Sequence, residues 1–295
     1  MNCYYLENDC LKVTVSDHGA ELISVFGKKL GREYIWNADP AYWNRHAPVL
    51  FPFVGSVKNK VYTYGQKEWL MNQHGFARDM NFSLLCRGEN SLWFRLKATE
   101  ETKKIYPFDF ILDIGYELER NSLKVNWIVT NPQDGTLYFS IGAHPAFMCP
   151  INPGEKQTDC SLDFHTDKEI SYNLIKESGL VGIYDEILPV NHGKIGIDEH
   201  LFDRDALIIE GGQSKCVSLL DGSGMPYVTV DFEAPLFGVW SPAQKRAPFI
   251  CIEPWYGRCD SVEFSGTLKD RDYQQILEGR QTFEADYVIR FDQEA

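Results

Sequence analysis

The sequence contains no C-x-x-C pair, no H-E-x-x-H, no Walker loop, no G-x-S-x-G elbow and no G-x-G-x-x-G following an apolar strand. Those absences remove the local frameworks of thiol redox and zinc sites, phosphate cradles, serine hydrolases and dinucleotide-binding turns. No apolar run approaches the ~20 residues a membrane span requires. The opening stretch MNCYYLENDCLKV lacks the basic segment, apolar core and small-residue cleavage site of a secretory leader. Positive charge is scarce too. Twenty-nine Lys and Arg face 42 Asp and Glu, and the net charge of -13 repels nucleic-acid backbones and anionic membrane surfaces. Cys3, Cys10, Cys86, Cys149, Cys160, Cys216, Cys251 and Cys259 are scattered without metal-ligand spacing, and read as reduced thiols of a cytoplasmic protein.

What is present is a strand pattern. In SLKVNWIVTN, Leu123, Val125, Trp127 and Val129 share one face, while Lys124, Asn126, Ile128 and Thr130 share the other. The preceding FDFILDIGYE and the turn LERN predict a hairpin with it, and SLWFRLKAT alternates likewise. KCVSLL and MPYVTVDF flank DGSG, whose glycines accept positive φ without steric cost, so residues 215–232 form a second predicted hairpin. EADYVIRF predicts a closing strand. Helical signal is thin: DRDYQQILEG is read as two or three turns and DPAYWNRH as one. Many strands and frequent turns predict an all-β fold, an antiparallel sandwich or barrel, and the lack of any linker or repeat predicts one domain over 1–295.

Three polar residues stand out. His74, in NQHGFARD, precedes a glycine that lets the backbone turn or approach closely, with Arg78 four residues on; local sequence favours a loop histidine capping backbone. His144, in SIGAHPAFMCP, follows an apolar strand and precedes Pro145, which pushes it toward extended geometry. An imidazole projecting from a strand end and a core histidine bonded to a carbonyl remain equally open. Glu253 follows the apolar strand FICI and precedes Pro254, Trp255 and Tyr256, a setting that desolvates a carboxylate and raises its pKa. The bland alternative is a buried ion pair with Arg258. Trp255, Tyr256, Phe147, Phe76 and Trp240 are candidates for an apolar floor under a sugar, although aromatics also fill ordinary β cores. Arg45, Lys58, Lys60 and Arg78 are local cations able to serve a small anion. A facial iron triad from His74, His144 and Glu253 is disfavoured, because nothing local places two of these ligands on one strand.

NQHGFARD, GAHPAF and CIEPWYG, in this order, resemble the aldose 1-epimerase (galactose mutarotase) family, in particular its short bacterial branch associated with lactose and galactose genes. The resemblance runs from ENDCLKVTVSDHGAELISV to ILEGRQTFEADYVIRF, almost the whole chain. It implies a large, mostly antiparallel β-sandwich with few short helices and a sugar cleft on one concave sheet. It places His144 and Glu253 at the catalytic positions and His74, Asp205, Asn59 and Lys60 among substrate-binding candidates, with Asp203 competing for the role of Asp205; Arg78 joins these candidates from its local charge beside His74. Lys60 stands where many members carry arginine, a point charge in place of a planar fork.

The implied reaction interconverts α and β anomers of a hexose or hexose phosphate, with Glu253 ionised as base and His144 protonated as acid, and needs no metal or other cofactor. The alternatives are an epimerase specific for hexose 6-phosphates and a non-catalytic hexose-binding or sensing module, which turnover separates.

Overall fold

In the computed structural model, which describes residues 1–176 and 178–292, two large antiparallel sheets dominate and 45% of residues are in strands. The nine-stranded sheet has at its centre Pro226–Phe232, Thr282–Phe291, Ser122–Thr130 and Ile111–Glu119, in that spatial order. The eight-stranded sheet runs from Glu186–Leu188 through Ile170–Leu174, Leu207–Ile209, Leu236–Trp240, Phe249–Tyr256 and Ile141–Ala143 to Val49–Leu50, with Ala146–Met148 also pairing Phe249–Tyr256. A four-stranded sheet is built from the first 33 residues.

Period-two patterning explains the layering. Leu123, Val125, Trp127 and Val129 are all at most 2% exposed, and residues between them are half-buried. Their face meets the other sheet: Trp127 packs edge-on against Tyr256, and Phe237 packs against both Phe164 and Phe232. One contiguous apolar cluster therefore runs from Leu6 to Phe291, drawing on both sheets. Removing that much apolar surface from water is the main force favouring the folded chain.

The predicted hairpins are present. Ile111–Glu119 pairs with Ser122–Thr130, and Cys216–Leu220 with Pro226–Phe232 across the DGSG turn. The helix read into DRDYQQILEG is corrected: Tyr273 has φ of 56°, and Gln275–Leu277 forms a short strand against Leu137–Phe139. Buried Leu137 and Leu277 face each other there, so tertiary pairing overrides local helical preference. DPAYWNRH likewise forms a turn and no helix. Among the described residues no helix is long and apolar enough to cross a membrane, and Cys3, Cys86, Cys149, Cys160, Cys216, Cys251 and Cys259 are free thiols.

Candidate active site

The strand Phe249–Tyr256 divides its side chains between two surroundings. Ile250 and Ile252 enter the main core, whereas Cys251, Glu253 and Trp255 project from the opposite face. Its neighbours Ile141–Ala143 and Ala146–Met148 are separated only by His144 and Pro145. In the ladder Gly142 stands opposite Trp255 and Ala146 opposite Cys251, so the register brings His144 across from Glu253. His144 Nε2 lies 3.3 Å from Glu253 Oε2. The two are close without the alignment of a hydrogen bond, and Glu253 Oε2 and His144 Nδ1 are both buried with no hydrogen-bond partner. The indole of Trp255 lies beside them, against Gly142 and Gly238. A Cβ at either glycine would come within 2.6 or 2.5 Å of the ring, so the absence of side chains there is what admits it.

Aromatic rings hold the imidazole in place. Trp43 stacks on His144 at 4.8 Å and 26°, Trp240 meets it edge-on at 5.4 Å, and the ring of His74 lies perpendicular at 5.6 Å. Trp43 arrives on the DPAYWNRH turn, which is fixed by its own N–H donating to Asp39 O and by Trp36 Nε1 donating to Trp43 O. His74 has φ of 66° and Gly75 of 70°. A Cβ at position 75 would lie 2.3 Å from Phe51 O, so the turn that presents His74 requires glycine. Gly55 N–H donates to His74 Nδ1 at 3.1 Å, which leaves Nε2 as the protonated nitrogen of a neutral imidazole.

Electrostatics favour neutral forms at the floor of the cleft. Burial pushes Glu253 well above the usual carboxylate range, and the charge of Asp205 adds to this. Burial, then the positive charge of Arg78, pushes His144 down to about 3. His74 is held well below the ordinary imidazole value by burial and by His144, Arg78 and Arg45. Arg78 is itself pushed down to about 10 by burial and by Arg45 beside it. Its Nη2 donates to Gln73 O, while its Nε is buried without a hydrogen bond.

His74, Arg78, His144, Asp205 and Glu253 converge on one cleft of about 390 Å³. Asp205 is the aspartate that lines it; Asp203 lines a separate cavity and pairs with His200. Two expectations are corrected. Asn59 and Lys60 are exposed residues on the turn Lys58–Lys60 and are not among the lining residues, while Lys58 Nζ is engaged with Val262 O and Phe264 O. Arg258 pairs with Glu210 and Asp272 and not with Glu253.

Of the proposed aromatic floor, Trp240 and Trp255 line the cleft. Phe147 is fully buried, Phe76 packs on Tyr106 and Phe110, and Tyr256 packs on Trp127 and Phe283. Trp43, Arg45 and Gln73 line the cleft as well. The crowding of Trp43 and Arg45 within DPAYWNRH was the available signal. His74 is not among the metal-type donors that come closest together; those are His144, Cys251 and Glu253.

The sequence profile of the family described as "Aldose 1-epimerase" matches residues 2–262. The plasmid-encoded protein LacX of Lactococcus lactis subsp. lactis is 36% identical over 275 residues, covering 90% of this chain and 91% of that protein. A solved structure of a galactose mutarotase related enzyme from Lactobacillus acidophilus superposes with a TM-score of 0.93 at 36% identity, covering 99% of this chain and 98% of that one. A galactose mutarotase-like protein from Lactobacillus casei gives 0.92 at 27% identity, covering 99% and 100%. The chain belongs to the aldose 1-epimerase family and is an isomerase acting on sugars.

Proposed function

We propose that the enzyme interconverts the α and β anomers of a hexose by acid–base ring opening and reclosure, with Glu253 and His144 as the reacting pair. One observation carries the reading: two buried titratable groups 3.3 Å apart, with unused hydrogen-bonding capacity, at the floor of a cleft walled by Trp43, Trp240 and Trp255. Indole faces suit the apolar C–H faces of a pyranose, and the polar groups between them suit its hydroxyl rim.

The chemistry needs one proton removed from the anomeric hydroxyl and one delivered to the ring oxygen. The bond from C1 to the ring oxygen breaks, C1–C2 rotates, and reclosure returns both protons with the roles exchanged. The expectation of a resting carboxylate beside an imidazolium needs adjustment. Burial disfavours the charged form of both groups, so the pair's single proton rests on Glu253 to beyond the ordinary carboxylate range. Moving it across to His144 Nε2 creates base and acid together without changing the net charge of the pair. An anomeric hydroxyl donating to Glu253 Oε2 favours that transfer, because it hydrogen-bonds the charged carboxylate. His74, through its Nε2–H, and the carboxylate of Asp205 orient ring hydroxyls.

A second reading rests on Arg78 and Arg45, both lining the cleft and both near Asp79, with Arg78 Nε buried without a hydrogen bond. It gives the sugar an anionic substituent such as a 6-phosphate, bound by these arginines and not by Lys58 or Lys60.

Polarimetric or NMR exchange of freshly dissolved α-D-glucose, α-D-galactose and glucose 6-phosphate tests both readings at neutral pH. Acceleration of a neutral hexose is the result expected, and no acceleration of any of the three sugars overturns the proposal. A preference for the phosphorylated sugar that weakens with added salt supports the arginine reading, and equal catalytic efficiency on both glucose forms removes it.

A further inference from the structure

Cys251 is a fully buried thiol for which the proposed reaction has no use, two residues from Glu253 on the same strand face. Ligand atoms of Cys251, Glu253 and His144 all lie within 4.8 Å of one another. All three residues are buried, and Glu253 Oε2 and His144 Nδ1 lack hydrogen-bond partners. We propose that Cys251, Glu253 and His144 form a binding site for a zinc-type divalent cation, whose occupation removes the acid–base pair from the reaction and inhibits turnover reversibly. The site overlaps the pair named under the proposed function, but binding of the metal does not require that function to be correct.

The donor set decides the class of ion. A thiolate, an imidazole and a carboxylate are borderline-soft ligands of the zinc and cobalt kind, and exclude magnesium and calcium, which take oxygen. Three protein ligands leave a fourth tetrahedral position for water or another small ligand. Bonds of about 2.0–2.3 Å put tetrahedral ligand atoms roughly 3.3–3.8 Å apart, so the group has to contract by about 1 Å. Binding displaces one proton from the thiol and one from the carboxyl, and His144 is already neutral. The occupied site then carries two anionic ligands against a doubly charged ion and has no net charge, which limits the cost of burying it. Arg45 and Arg78 oppose the cation and Asp205 favours it. Their opposition keeps the affinity below that of a structural zinc site, as reversible inhibition requires.

Cobalt(II) is the probe, titrated into the full chain and read by its near-ultraviolet thiolate charge-transfer band, with zinc inhibition of anomer exchange as the second readout. The band is expected in the wild type and in the Cys3→Ser/Cys86→Ser variant, which lacks the exposed thiols, and not in Cys251→Ser. Loss of the thiolate weakens zinc inhibition by at least about tenfold, with turnover in the absence of metal retained. Cys251→Ala serves in its place if the serine variant fails to fold. A band that persists without Cys251, no band in the wild type, or zinc inhibition indifferent to position 251 each overturns the proposal. If the wild type shows the band but no anomer exchange, the metal site stands and the proposed function fails.

Discussion

Two buried acid–base contacts in this protein are built in opposite ways. Arg271 and Asp260, with side chains 1% and 3% exposed, meet at 2.6 Å, and their remaining capacity is used: Asp260 Oδ2 accepts from Lys58 N, and Arg271 Nη2 donates to Arg258 O. His144 and Glu253 are buried as well, yet they stand 3.3 Å apart without a hydrogen bond, and each retains an unused buried atom. Leaving a buried polar atom unpaired costs about 1–3 kcal/mol, so a fold that tolerates it twice at one contact is keeping those atoms for something else. The contrast separates a pair that holds the chain together from a pair held ready for a ligand. Both lie near one cleft, since Cys259, beside Asp260, lines it too.

Substitutions sharpen the contrast. Glu253→Gln and His144→Gln each keep shape while removing the transferable proton, and each lowers anomer exchange by about 10²–10⁴-fold as measured by NMR. Asp260→Ala strands a buried guanidinium and lowers unfolding free energy by about 3–5 kcal/mol in urea, with exchange per folded molecule retained. A loss of exchange as large as that of Glu253→Gln would break the distinction. The smallest effect is on pH. Because His144 is pushed down to about 3 and Glu253 upward, the pair holds its single proton from acid pH to beyond the ordinary carboxylate range. It gains a second only when His144 titrates in acid, and loses its one proton only above the ordinary carboxylate range. The acid limb of kcat/KM for the free enzyme therefore falls well below the ordinary imidazole value of about 6.5, and a limb at 6.5 would place the proton on a solvated His144.

How much was legible in advance follows from which forces are local. Alternation at Leu123, Val125, Trp127 and Val129 records a face buried by the opposite sheet, and DGSG records a turn, so these strands could be read directly. Gln275–Leu277 could not, because its strand geometry comes from a partner more than 130 residues away at Leu137–Phe139. His144 and Glu253 were visible as polar residues breaking apolar strands, and their juxtaposition follows only from a register that sequence does not print. Trp43 was hidden in a segment read as a helical turn. Cys251 looked like one apolar residue of FICI, and its place beside Glu253 needed only the period-two rule applied to the strand. Asn59 entered through resemblance alone, and Lys60 through resemblance and local charge; both lie on an exposed turn and are not among the residues that line the cleft.

The most direct test reads one preparation of Glu253→Gln twice, by NMR exchange of freshly dissolved α-D-galactose and by its urea unfolding midpoint, beside wild type. The account predicts that exchange is lost while the midpoint stays level or rises, because the carboxyl contributes reactivity and little cohesion. Near-normal exchange, or a loss of stability on the scale of Asp260→Ala, would contradict it.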